Sequence, residues 1–267
     1  MVAGREALEP AATLGNPTLQ AHASYRLGQA YGSIGDYRRA AELLRGNVAA
    51  LARSTPGDML SLCISSQARL AQVLSGLGDF AEGRRHGEAA LCLAIVDGQW
   101  QGDAPITARA RLGSLYLAQG DLEAAIWMLE ESLALYRASG QRVSLGGIAE
   151  RLGEAYAHTG RLAEGLALLE EARRDDLRTG RLGSSYVIHL RQLSAVYLLA
   201  GRVGEAWQRA CQALDLARER KARGEEAHAL HQLGAVHAHT DPADVTVATA
   251  HYQQALVLAD ALGMRPL

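Results

Sequence analysis

The amino-acid sequence predicts an all-α fold, a right-handed α-solenoid of antiparallel helix pairs with about six repeats and a partial helix ahead of them. Three observations predict it. Leucines recur at Leu27, Leu70, Leu112, Leu152, Leu193 and Leu233, with separations of 43, 42, 40, 41 and 40 residues, and a fixed period of this size marks a repeat architecture. Eight residues beyond five of these leucines stands a glycine: Gly35, Gly78, Gly120, Gly160 and Gly201. The chain of 267 residues holds only 6 Pro and 1 Phe and is rich in Ala and Leu, which leaves little material for a sheet core.

The elements follow from this spacing. A helix over residues 4–15 opens the chain, because Arg5-Glu6-Ala7-Leu8 through Leu14-Gly15 matches Gln253-Gln254-Ala255-Leu256 through Leu262-Gly263. Repeats then cover about 18–55, 57–97, 103–140, 142–180, 182–220 and 222–263, in a single superhelical domain over 1–267. The first helix of a repeat carries Leu-Gly-x-x-Tyr, as at Leu27-Gly28, Leu112-Gly113 and Leu152-Gly153. The glycine after it suits a left-handed helix end that a Cβ would resist. Asp36, Asp79 and Asp121 follow and are suited to cap the next helix, whereas Arg161 and Arg202 are not.

The second helix carries Ala-x3-Leu spacing, with Ala40 and Leu44, Ala125 and Leu129, Gly165 and Leu169, Ala206 and Ala210, and with Gly83 and Gly87 in the second unit. Small residues let helices approach while large ones interleave. In the sixth unit the turn is His239-Thr240-Asp241-Pro242, two residues longer, and Ala248, Tyr252 and Ala255 take the motif positions. A lone hairpin cannot bury its apolar face, so the units must stack.

These residues together resemble the tetratricopeptide repeat in a long form of about 40 residues. The resemblance covers nearly the whole chain. It departs at the early Trp position, where Ser24, Gln67, Arg109, Ala149, Leu190 and Leu230 stand, and at the missing terminal Pro. The segments Glu219–Ala227, Asp241-Pro242, His251–Leu256 and Leu262–Leu267 are similar to the C-terminal repeat region of large bacterial signalling proteins that carry a class III adenylate/guanylate cyclase or STAND-type ATPase module. The matching, uncapped termini lead to the expectation of an interior piece of a longer chain and of self-association through the terminal helices, and the resemblance adds that cyclase and ATPase chemistry would lie elsewhere.

Charge and motifs narrow the function. A formal charge of -2 offers no basic footprint for nucleic acid. No apolar run is long enough to span a membrane. Cys63, Cys92 and Cys211 are scattered without metal-ligand spacing, which fits a cytoplasmic chain with unpaired thiols. Neither a phosphate-binding glycine loop nor a nucleophile elbow is present. The expectation is a chain that is not an enzyme, with no cofactor and no metal. His228 and His231 share a helix face, but no further ligand completes a site.

The candidate binding residues lie one residue before each motif leucine and three residues on. They are Arg26 and Gln29, Arg69 and Gln72, Arg111 and Ser114, Arg151 and Glu154, then Gln192 and Gln232. In tetratricopeptide proteins the first helices line a concave groove. This ladder would set a guanidinium stripe there, able to grip carboxylates or a peptide backbone, or else would pair with acids of adjacent helices and solvate the wall. Tyr31, Tyr116, Tyr156 and Tyr197 are expected to pack between hairpins, as are Trp127 and Trp207, while Trp100 lies in a polar loop as a candidate contact or anchor. The functional expectation is a non-catalytic interaction and regulatory scaffold for a protein, a peptide or a neighbouring domain. Two alternatives are a ligand- or peptide-sensing module controlling attached cyclase, ATPase or DNA-binding domains, and a structural spacer or oligomerisation surface.

Overall fold

The computed structural model describes residues 16–53, 59–96, 103–139, 145–180, 184–240 and 244–264. Among the described residues it contains twelve helices and no strand: α1 (Pro17–Ser33), α2 (Tyr37–Leu51), α3 (Leu60–Leu77), α4 (Phe80–Val96), α5 (Ala104–Gln119), α6 (Leu122–Ser139), α7 (Leu145–His158), α8 (Leu162–Thr179), α9 (Ser184–Leu199), α10 (Val203–Glu219), α11 (Arg223–Ala238) and α12 (Val245–Leu262). The expected helix over 4–15, Trp100, Asp241-Pro242 and the last three residues lie outside the described residues.

Each odd-numbered helix packs on the even-numbered helix that follows, each even helix packs on the next odd one, and successive odd helices touch in an inner layer. This is a helical-repeat solenoid. Its turns are built as the glycines require. Gly35, Gly78, Gly120, Gly160 and Gly201 all have φ between 72° and 84°. The amide after each glycine donates back to the motif aromatic or its equivalent: Asp36 N–H to Tyr31 O at 3.0 Å, Asp79 to Leu74 at 2.9 Å, Asp121 to Tyr116 at 3.0 Å, Arg161 to Tyr156 and Arg202 to Tyr197 at 2.8 Å. This six-to-one bond satisfies a carbonyl that the helix end would orphan.

Capping divides as the side chains dictate. Asp36 accepts from the Arg39 amide at 3.4 Å and Asp121 from the Ala124 amide at 3.2 Å, while Arg202 makes no side-chain cap. The sixth unit is capped by Asp244, which accepts from the Val247 amide at 3.1 Å.

The spine between hairpins is the motif itself. Leu70, Leu112, Leu152 and Leu193 are fully buried, and Leu27 and Leu233 nearly so. A Cβ on Gly28 would lie 2.9 Å from Leu44, one on Gly113 2.8 Å from Leu129, and one on Gly153 2.8 Å from the carbonyl of Gly165. In the fifth unit Ser194 replaces the glycine and donates its hydroxyl to Ala206 O at 2.7 Å across the same contact. Tyr31, Tyr116, Tyr156 and Tyr197 are buried. Trp127 and Trp207 are not: they are 60% and 47% exposed on α6 and α10, contrary to the expectation that they pack. Both project from second helices, whose far side has no neighbouring layer to receive them.

Candidate functional site: a guanidinium-lined lumen

The two ends of the array meet. A Cβ on Gly35, in the first turn, would lie 2.6 Å from the Gly224 Cα at the start of α11. Tyr37 packs with Ala227, Leu258, Ala259, Leu262 and Met264 of the last unit, and its ring would sit 2.9 Å from a Cβ on Gly76 of the second. The solenoid therefore closes through one turn, and the inner helices surround a cavity of about 830 Å³.

Arg69 and Gln72 of α3, Ser114 of α5, Arg151, Glu154 and His158 of α7, Ile188 and Arg191 of α9, and Glu225 and His228 of α11 line this lumen, with Tyr37 at its edge. Arg111 stands against it, donating to Gln72 Oε1, which also accepts from Arg69 at 2.9 Å. Gln192 donates to Glu154 at 2.6 Å, and Arg151 lies 3.6 Å from the same carboxylate. Ser114 is turned to its own helix, donating to Ala110 O at 2.7 Å. The buried Nε atoms of Arg69 and Arg191 and Oε2 of Glu225 have no hydrogen-bond partner among the described residues.

The electrostatics follow from crowding cations in a poorly solvated space. Burial, and then the neighbouring Arg69, pull Arg111 below its usual range. Burial drives His228 well below the ordinary imidazole value, helped by Arg191, Arg151 and His231. Burial raises the Glu225 carboxyl against the pull of Arg191 and Arg151. The Tyr37 hydroxyl is likewise raised by burial and by Glu225.

The structure thus brings together Arg69, Gln72, Arg111, Ser114, Arg151 and Glu154 of the residues singled out in the sequence. It does not bring Arg26 or Gln29 there: they bond to each other at 3.3 Å outside the cavity lining. Gln192 and Gln232 are buried between helices instead of facing the concave side. The reason is register. In α3 and α7 the lumen sees positions one before and two after the motif leucine and in α5 the position two after, but in α9 and α11 it sees residues two, five and eight before it, namely Arg191, Ile188, His228 and Glu225. A rise of the superhelix slides each later helix along the lumen axis, so a fixed motif position cannot stay at one height. Arg191, Glu225 and His228 were missed for that reason, and Tyr37 because it lies on a second helix, outside the ladder altogether. Shifting the ladder by about one helical turn per unit in the last two repeats would have found three of them.

Among the described residues no cluster of three metal-ligating side chains occurs, and no helix is long and apolar enough to cross a membrane. The tetratricopeptide repeat model matches residues 21–45 and 106–139. No curated protein matches the sequence. Among solved structures, apo RapI is similar at 11% identity and TM-score 0.71 over 98% of this chain and 90% of that one. A Rap protein complexed with competence and sporulation factor is similar at 12% identity and TM-score 0.69, over 91% of this chain and 64% of that one. A TPR protein of Thermus thermophilus is similar at 18% identity and TM-score 0.54, over 89% and 99%. At such identities the likeness speaks for the fold. The chain is a helical-repeat solenoid, and two of its stretches match the tetratricopeptide repeat model.

Proposed function

We propose that this chain is a non-catalytic interaction and regulatory module whose binding face is the inner, concave wall. The observation that carries the reading is the convergence of polar and cationic side chains from five successive first helices on one cavity, while the apolar motif residues are spent on packing. Repeat arrays supply extended surfaces for such use. Structures of this fold include a Rap protein complexed with competence and sporulation factor and a Rap regulator in complex with the Phr* peptide, which supports a protein or peptide partner here. The signalling context, as part of a larger bacterial protein with cyclase or STAND-ATPase domains, rests on the resemblance of residues 219–267.

A second reading, ligand sensing, is favoured by the contact between Gly35 and Gly224. A lumen closed by contact between the first and sixth units changes shape, or resists changing, when its interior is filled. Affinity capture from bacterial lysate compares wild type with Arg69→Glu/Arg111→Glu/Arg151→Glu. Loss of a wild-type partner from a triple variant that keeps its helical circular dichroism is the expected result. Equal capture by both would place the binding face elsewhere.

A further inference from the structure

We propose that the lumen binds a compact polyanion, a small molecule carrying at least two phosphate or carboxylate groups, gripped by Arg69, Arg151 and Arg191. The proposal rests on the ligand-sensing reading of the inner wall and names the chemistry of what fills it.

The charge census is one-sided. Arg69, Arg151 and Arg191 line the cavity, Arg111 stands behind Gln72, and Glu154 and Glu225 are the carboxylates set against the four. Glu154 is already bonded by Gln192, and burial weakens the ionisation of Glu225. The excess is at least two positive charges in a space where each uncompensated charge is costly. The chain does not lack acids, since its 29 Asp and Glu outnumber its 27 Lys and Arg. They are placed elsewhere: α1, α3, α5 and α9 contain none. On α7, Glu150 is spent on His189 at 2.5 Å, and on α11, Glu226 is spent on Arg218 at 3.0 Å.

Donor capacity is left over as well. The Nε atoms of Arg69 and Arg191 are buried without a hydrogen-bond partner, on guanidinium forks that suit phosphate and carboxylate oxygens. A peptide would ask for something different, a row of free amide or hydroxyl groups for its backbone. Gln72 is occupied by two arginines, Gln192 by Glu154, and Ser114 by its own helix. Ser33, Ser75, Gln119 and His158 also reach the lining, but the charged donors there are the guanidinium groups of Arg69, Arg151 and Arg191. The volume of about 830 Å³ falls in the range of small-molecule sites, and Tyr37 with Glu225 and His228 places both ends of the array on the ligand.

Calorimetric titration of the whole chain with pyrophosphate and with citrate, at matched ionic strength, tests this. The expected result is one saturable site for either probe, whichever is tighter identifying a phosphate or a carboxylate ligand. Affinity should fall at least about tenfold in Arg151→Gln/Arg191→Gln and stay unchanged in Arg202→Gln on the outer wall. Should the double variant lose its helical circular dichroism, Arg191→Lys, which keeps the charge but not the fork, is expected to weaken binding about threefold or more. No saturable binding of either probe, or equal binding by a folded double variant, overturns the proposal. Loss of partner capture in the triple glutamate variant, with no polyanion binding by wild type, would sink this inference and leave the interaction reading standing.

Discussion

The inner and outer walls of the solenoid use the same residue in opposite ways. On the outside, Arg161 holds Glu164 through two bonds of 2.9 and 2.7 Å, Arg45 holds Glu82 through two of 2.7 Å, and Arg202 bonds Glu205. Arg161 and Arg202 also lie over the motif rings of Tyr156 and Tyr197, at 3.6 and 4.7 Å. Each outer guanidinium is neutralised locally and wetted by solvent, where such pairs add little stability. On the inside the arginines outnumber their carboxylates and are short of water. The difference teaches that overall charge balance says nothing about where charge sits: a chain of formal charge -2 encloses a positive cavity.

Four measurements press on this contrast. The largest effect is expected from Glu150→Ala on α7. It removes the buried carboxylate that pairs with the fully buried His189 ring and should cost about 3 kcal/mol in urea unfolding. Next, Arg111→Met removes a desolvated cation beside Arg69 and Arg151, and is expected to raise unfolding stability by about 1 kcal/mol; a decrease would show that the inner arginines are compensated after all.

A smaller effect is expected from pH. The folded-state value of His228 is depressed, so below about pH 6.5 the unfolded chain binds the proton more readily and stability falls as pH is lowered from 7.5 to 5.5. Glu225, with a raised value, acts in the opposite sense, and the difference between wild type and His228→Gln isolates the histidine; a slope unchanged by the substitution would contradict the assignment. The smallest effect is at the outer wall, where Arg202→Ala should leave the thermal midpoint where it was, because both members of its pair are solvent-exposed.

Local geometry was legible in the sequence. Gly35 and its four counterparts had to be helix ends, Asp36 and Asp121 had to be caps, and Gly28 and Gly153 had to be points of close approach. In each case the chemistry of one or two adjacent residues decides the outcome. The ladder is legible in α3, α5 and α7 alone, because a constant motif register does not follow the rise of the superhelix and Arg26 and Gln29 of α1 fall outside the cavity. Trp127 and Trp207 were misplaced because an aromatic on an amphipathic helix was assigned to packing without a layer to pack on. The closure by Gly35, Tyr37 and Gly224 had no local signal: two glycines about 190 residues apart announce nothing until the curvature of every intervening hairpin is known.

That contact fixes how many hairpins can stand between the first unit and the sixth. An open array gains or loses a unit with a roughly constant increment of stability and can unravel from either tip. Here an inserted or deleted unit would rotate the two tips out of phase, and the seam under Tyr37 would be lost along with the unit. The tips guard one another against fraying, so denaturation should be more nearly all-or-none than the linear sum of nearest-neighbour terms implies, with copy number as strict a requirement as any single side chain.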